Sequence, residues 1–206
     1  MPDRIVLGFD TSAAHCAAAL LRGEAILAER VEPMAKGQAE RLMPMIETLL
    51  AEAGLGYADL GAIGVGVGPG NFTGIRVAVA AARGLALALG VPAVGVSATE
   101  AAAFGLPRPC RVALEGRGGA LIWEDFPVCE RGGPDEASRG SRPQQAADGV
   151  LPPGPAPAAP AVPLAVAVAR IAAARAHLPD LPRPAPLYLR PADAAPPREA
   201  APLILP

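Results

Sequence analysis

Aromatic side chains are scarce in this 206-residue sequence: four Phe, two Tyr and one Trp, 3% of the chain. With 51% of residues apolar, a core can still form, but Ala, Val and Leu must build it. Lysine is nearly absent. Lys36 is the only one, the remaining cations are scattered arginines, and the formal net charge is −2. A domain that binds nucleic acid on its own usually carries a basic face, so direct tight binding of RNA or DNA is not supported. His15 and His177 stand far apart, so no His-rich metal site can be built. Cys16, Cys110 and Cys129 are odd in number and have no CxxC spacing, which excludes a disulfide framework. They read as reduced structural thiols of a cytoplasmic protein. Gly, Pro and charges break the apolar runs before the roughly 20 residues that span a bilayer, so no membrane is expected as a partner. Asp3 and Arg4 lead straight into a strand, so no signal peptide is expected.

The most organised stretch is 64–76, with Gly68-Pro69-Gly70-Asn71-Phe72-Thr73-Gly74-Ile75-Arg76 at its centre. Residues 62–67 read as a short apolar strand. Two glycines flank a proline that fixes its own φ, so the chain must turn there. Asn71 and Thr73 are cap-type residues, and an apolar helical run follows. A strand, a tight turn and a helix N-terminus aim backbone N–H groups at an anion or at a close-packed partner. Arg76 in the first helical turn opposes the helix dipole, so it needs another partner, such as a carboxylate or a phosphate. The P-loop is excluded, because Ile75-Arg76 follow Gly74 where Lys and Ser or Thr are required. The dinucleotide fingerprint is excluded, because Pro69 stands where its third Gly belongs. The bland alternative is a Gly-rich turn with no ligand.

Taken in order, 5–9 is an apolar strand ending at Asp10-Thr11-Ser12. These three side chains either meet phosphate or metal-bound water, or simply hold the turn through side-chain to backbone bonds. Residues 16–21 and 25–31 form a hairpin around Arg22-Gly23-Glu24. Leu42, Met45, Ile46, Leu49 and Leu50 fall on one stripe of a helix over 38–53, which Gly54 ends. Pro44 should bend that helix or mark its first turn. The stripe is either core or a partner-facing surface. The helix over 72–89 is rich in alanine, including Ala78 and Ala82, and its small residues predict packing on more than one side. A strand over 93–97 and a helix from 99 follow. The order β-β-β-α-β-α-β-α is an α/β layered sheet with a meander at one side. Beyond 105 the signal weakens: two strands over 110–114 and 120–126, a turn-rich stretch over 132–149, extended Pro-rich chain over 152–163, a helix over 164–176 and a Pro-rich tail.

Ile-Val-Leu-Gly-Phe-Asp-Thr-Ser over 5–12, the glycine string over 68–76, Gly95-Val96-Ser97 and Pro-Leu-Tyr-Leu-Arg over 186–190 together resemble the TsaB (YeaZ) family. That family supplies the dimerisation subunit of the bacterial machinery that makes N6-threonylcarbamoyladenosine in tRNA. The resemblance implies an α/β fold of the ASKHA type (actin-like ATPase and sugar kinase) with two related lobes. The lobes would be 1–105, carrying the dimerisation helices, and a smaller 106–206. It implies TsaD as heterodimer partner and the small ATPase TsaE, a homodimer when alone, and contact with tRNA only through the complex. The pairing surface would lie on 38–53 and 72–89, with Leu42, Met45, Ile46, Leu49, Leu50, Ala78 and Ala82 as its candidates. Asp10, Thr11, Ser12 and Gly68, Pro69, Gly70, Asn71, Phe72, Thr73, Gly74 and Arg76 would be a family signature and the remnant of a phosphate loop. No cofactor or metal is expected within the chain, and ATP or ADP would belong at the junction with partners.

The departures are informative. Enzymatic relatives carry two metal-binding His, four residues apart, where this chain has Ala98 and Ala102. Glu115-Gly116-Arg117 stands where relatives have Asp-Ala-Arg. The expectation is therefore a non-catalytic subunit that binds and activates TsaD. The alternative is a stand-alone ATP-binding phosphotransferase or peptidase-like hydrolase of the same fold.

Overall fold

A computed structural model describes residues 4–128 and 140–189. Cys129 and Arg190, both named above, lie outside the described residues.

The first strand, β1 (Ile5–Asp10), pairs antiparallel with β2 (His15–Arg22), which pairs antiparallel with β3 (Ala25–Pro33). Helix α1 (Gln38–Glu52) crosses to β4 (Leu60–Gly66), which lies parallel to β1 on its other side. Helix α2 (Phe72–Leu89) crosses to β5 (Ala93–Val96), parallel to β4. The sheet order is β3-β2-β1-β4-β5, so the predicted meander and parallel crossovers form one sheet.

Alternation along the strands splits the core in two. Leu7, Phe9, Ala18, Leu20, Ile63 and Val65 face α1 and α2. Val6, Ala17, Ala19, Leu21 and Ala62 face the opposite layer. Gly90, in the left-handed region at φ 67°, ends α2 as its pattern predicts. Pro44 neither ends nor starts α1: the helix runs through it, with Pro44 on the exposed side.

A short helix, α3 (Ala98–Ala103), leads to a second sheet of three antiparallel strands. These are β6 (Cys110–Glu115), β7 (Leu121–Phe126) and β8 (Gln144–Ala146). The last strand falls in the stretch read as turn-rich. The Pro-rich chain after it is extended but not loose. Arg111, 3% exposed, donates to both carboxylate oxygens of Asp125 at 2.6 and 2.7 Å and to the Pro152 carbonyl at 2.7 Å. Its guanidinium also lies 4.6 Å from the Trp123 ring. Asp125 is held below the usual carboxylate range by that guanidinium.

Helix α4 (Leu164–Arg175) changes the expected division at residue 105. It does not stay with the second sheet. It covers the far face of the first one, with Ala165–Ala169, Ile171 and Ala172 buried there. Two glycines make this possible. Gly8 and Gly64 are register partners on β1 and β4. A Cβ on Gly8 would lie 2.5 Å from the Ala165 carbonyl oxygen, and one on Gly64 would lie 2.7 Å from that of Val168. Both strands thus offer bare backbone, and the alanines of α4 sink onto it.

Candidate functional site at the carboxyl ends of β1 and β4

Open α/β sheets bind ligands outside the carboxyl ends of their strands, where the strand order reverses. Here that crevice lies between β1 and β4, and the signature residues meet in it. Asp10 is fully buried. Its Oδ1 accepts from the Ser12 amide at 2.9 Å and the Ser12 hydroxyl at 3.0 Å, and lies 2.8 Å from His15 Nε2. Its Oδ2 has no hydrogen-bond partner among the described residues and is turned toward Gly66, where a Cβ would sit 1.7 Å away. Sequence reasoning missed His15. The available signal was a polar residue at the far side of a four-residue hairpin loop from a buried strand-end carboxylate.

The glycine string closes the crevice. Asn71 N donates to the Ser12 carbonyl at 2.5 Å, and Thr11 Oγ1 donates to the Gly74 carbonyl at 2.6 Å. A Cβ on Gly70 would lie 2.1 Å from Ser12 O, and one on Gly74 would lie 1.8 Å from Thr11 O. Gly70 and Gly74 are therefore needed for backbone-to-backbone approach. Asn71 also caps α2 through its side chain, accepting from Gly74 N at 3.0 Å. The crevice is not a bare phosphate loop, because the chain's own oxygens already take Asn71 N and Gly74 N at the N-terminus of α2. Nor is it a nucleophile relay. Such a relay places His between Ser and Asp, whereas here Asp10 stands between Ser12 and His15.

The string near the C-terminus joins this site. Leu187 N donates to the Val67 carbonyl at 2.8 Å, and Pro184 packs beside Gly95. Tyr188 stacks on Phe72, with ring centroids 4.9 Å apart. Arg76 lies over the Phe72 ring at 3.8 Å and donates from Nε to the Tyr188 hydroxyl at 3.0 Å. The partner expected for Arg76 was an anion. Within the described residues it has a ring and a hydroxyl instead.

The candidate pairing residues are placed differently from expectation. Leu42, Met45, Ile46, Leu49 and Leu50 are each 3% exposed or less and pack into the first core. Ala78 and Ala82 are fully buried beside them. A stripe at that spacing satisfies the monomer's own sheet, so none of these side chains is free for a partner. The expected packing of α2 on more than one side is corrected as well. Only 28% of its residues are buried. Val77 and Ala81 are half-buried, Ala80, Arg83, Gly84 and Ala88 are exposed, and Leu87 is 87% exposed. Among the described residues α2 is also the one helix long and apolar enough, by length and composition, to cross a membrane. That corrects the reading that no apolar run reaches such a length.

Elsewhere the described residues offer little chemistry. Ala98 and Ala102 are 5% and 2% exposed, and their methyl groups have no donor atom for a metal. No group of three or more His, Cys, Asp and Glu among the described residues is placed to hold a metal ion. Burial pushes the Cys16 thiol up to about 11, which keeps it unreactive at neutral pH. A cavity of about 370 Å³ on the second sheet is lined by Pro109, Cys110, Phe126, Pro127 and Pro155, and its one carboxylate, Asp125, is already held by Arg111.

A sequence model of the family described as "TsaD: tRNA N6-adenosine threonylcarbamoyltransferase" matches residues 26–133. The chain belongs to the TsaD family. It is 42% identical to the tRNA N6-adenosine threonylcarbamoyltransferase of Erythrobacter litoralis (strain HTCC2594), over 29% of this chain and 22% of that one. Among solved structures it is similar to YeaZ from Pseudomonas aeruginosa, with 31% identity and a TM-score of 0.56. That match covers 69% of this chain and 66% of the other. A second structure from the same organism, described as similar to peptidase YeaZ, gives 29% identity and a TM-score of 0.57 over the same shares. The chain therefore spans about two thirds of the YeaZ chains and about a fifth of the curated transferase. The resemblance to TsaB (YeaZ) holds, and the α/β fold is of the ASKHA type.

Proposed function

We propose that this chain is a non-catalytic subunit that binds and activates a TsaD-type transferase in N6-threonylcarbamoyladenosine modification of tRNA. One observation carries the reading: α2 is apolar along its length yet leaves an open seam of Val77, Ala80, Gly84 and Leu87. These positions recur at i, i+3 or i+4, on one face. A monomer gains nothing by exposing Leu87, and the small residues beside it let another helix come close. The docking surface is thus the outer face of α2, rotated away from the buried Ala78 and Ala82. The crevice supports the same reading, since Thr11 donates to the Gly74 carbonyl and the Ser12 carbonyl accepts from Asn71 N, which fixes the start of α2. ATP or ADP belongs, in this reading, at the junction with TsaD and TsaE, and tRNA meets the complex rather than this chain.

The test is reconstituted threonylcarbamoyl transfer to tRNA. This chain alone, its TsaD alone, and both together with TsaE are supplied with ATP and threonylcarbamoyl-adenylate. Activity is expected only in the mixture. Turnover by this chain alone, or full activity without it, overturns the reading.

A further inference from the structure

Arg76 is placed near the end of a helix where a cation is disfavoured. It stands just past the first turn of α2, near the end whose dipole disfavours positive charge, and among the described residues it meets no carboxylate. It is nevertheless held in place. The Phe72 ring supports its plane at 3.8 Å, Tyr188 stacks on that ring, and the Tyr188 hydroxyl takes the Nε hydrogen at 3.0 Å. Among the described residues the two Nη groups have no partner, on an exposed side chain whose geometry is set in advance. A guanidinium fork of this kind matches a planar oxyanion, and ordering it beforehand lowers the cost of binding.

Which oxyanion follows from the surroundings. Arg76 adjoins Val77 at the start of the apolar seam, so whatever covers the seam also reaches Arg76. An RNA backbone requires a run of cations. Here the next cation on this helix is Arg83, about 10 Å along the axis by helix rise. The chain is also net negative. A single fork beside an apolar seam suits one acidic side chain on a protein partner.

We propose that Arg76 is a carboxylate-binding anchor of the α2 interface, and that Tyr188 is its positioning residue, so that the segment carrying Tyr188 tunes pairing. The inference rests on the subunit reading above and names the chemistry of the contact. Tyr188 acts through Arg76 and touches no partner in this scheme.

The experiment is calorimetric titration of the full chain into its TsaD, with wild type, Arg76→Lys, Arg76→Ala, Tyr188→Phe, Tyr188→Ala and the double alanine variant. Thermal melts of each isolated chain and a salt series accompany it. Arg76→Lys keeps the charge but loses the fork, so pairing should weaken about tenfold with the melting temperature unchanged. Tyr188→Ala should lose nearly as much as Arg76→Ala, and Tyr188→Phe about threefold, since it keeps the ring and loses only the hydroxyl. The double variant should be no weaker than Arg76→Ala alone, because the tyrosine works through the arginine. Salt should weaken wild type more steeply than Arg76→Ala. If wild type pairs and the arginine variants pair equally well, the anchor is overturned while the subunit reading stands. Additive losses, or a Tyr188→Ala defect explained by a lower melting temperature, overturn the positioning role. Intact pairing with loss of tRNA binding by the complex overturns the carboxylate in favour of phosphate. If wild type itself fails to pair, the subunit reading fails first and takes this inference with it.

Discussion

Helices α2 and α4 are alike in composition and opposite in environment. Both are built largely of alanine with a few aliphatic residues and two arginines each. Helix α4 is buried over Ala165–Ala169, Ile171 and Ala172, whereas α2 buries five residues on one side and leaves the other open. The difference lies in what each meets. Gly8 and Gly64 remove the side chains under α4, so its backbone rests on the sheet and its flanks are enclosed. Helix α2 packs over Val65 and Ile63 with α1 beside it, and among the described residues its outer face is left exposed at Ala80, Arg83, Gly84 and Leu87. Small residues in a helix therefore signal close approach, but only the chain around them decides whether the close neighbour is internal or external.

The largest effect comes from refilling the notch. Gly64→Val places carbon 2.7 Å from the Val168 carbonyl oxygen and 2.8 Å from the Ala172 methyl, and neither backbone nor methyl can swing away. Overpacking of this kind costs about 3 kcal/mol or more where backbone must shift. Urea unfolding should show the loss. An unchanged midpoint would mean that α4 is not seated on this sheet.

A smaller effect sharpens the other half of the comparison. Leu87→Asp on the open face should leave stability within about 0.5 kcal/mol of wild type while weakening pairing with TsaD about tenfold. Leu49→Asp, on the fully buried stripe, is the control: it should unfold the first sheet's helical layer, visible by circular dichroism. Should Leu49→Asp fold normally and lose pairing instead, the assignment of faces is reversed.

These two substitutions also mark the limit of what the amino-acid order conveys. The strands of the first sheet and the extents of α1 and α2 were legible because alternation and 3.6-residue spacing are local signals. The turn at Gly68–Gly70 was legible too, as was the approach of a cap to α2. The spacing of Leu42, Met45, Ile46, Leu49 and Leu50 reveals that they share a face, but not what the face meets. Gly8 and Gly64 read as ordinary strand glycines, because the helix that needs them lies more than 100 residues later. The meeting of Phe72 and Arg76 with Tyr188 is equally long-range. Arg111 gave no local sign of burial, since a charged residue enters a core only when paired: Asp125 stands opposite it on β7, and the Pro152 carbonyl arrives from 41 residues further on.

The smallest effect concerns how the covered side is sealed. Glu124 on β7 is 5% exposed and accepts from Thr99 Oγ1 on α3 at 2.5 Å and from the Arg142 amide at 3.2 Å. It therefore ties the second sheet to the first part of the chain. Burial pushes its carboxyl above the usual 4.5, with the Thr99 and Arg142 bonds and nearby Arg108 opposing and Glu100 adding to the rise. The folded chain then holds this proton more tightly than the unfolded one. The contribution to stability is complete below about pH 4.5 and is lost as pH rises through the window up to the folded-state value. Glu124→Gln keeps the shape and removes the titration. Its stability relative to wild type should therefore improve as pH rises from 4 to neutrality, measured by urea midpoints at each pH. The carboxylates Glu32 and Asp125, held low by Arg41 and Arg111, shift in both proteins alike and cancel in the difference. A constant gap across that range would mean that Glu124 titrates alike folded and unfolded, and that the seal between the sheets is apolar contact through Ala102, Ala103, Val112 and Phe126 alone.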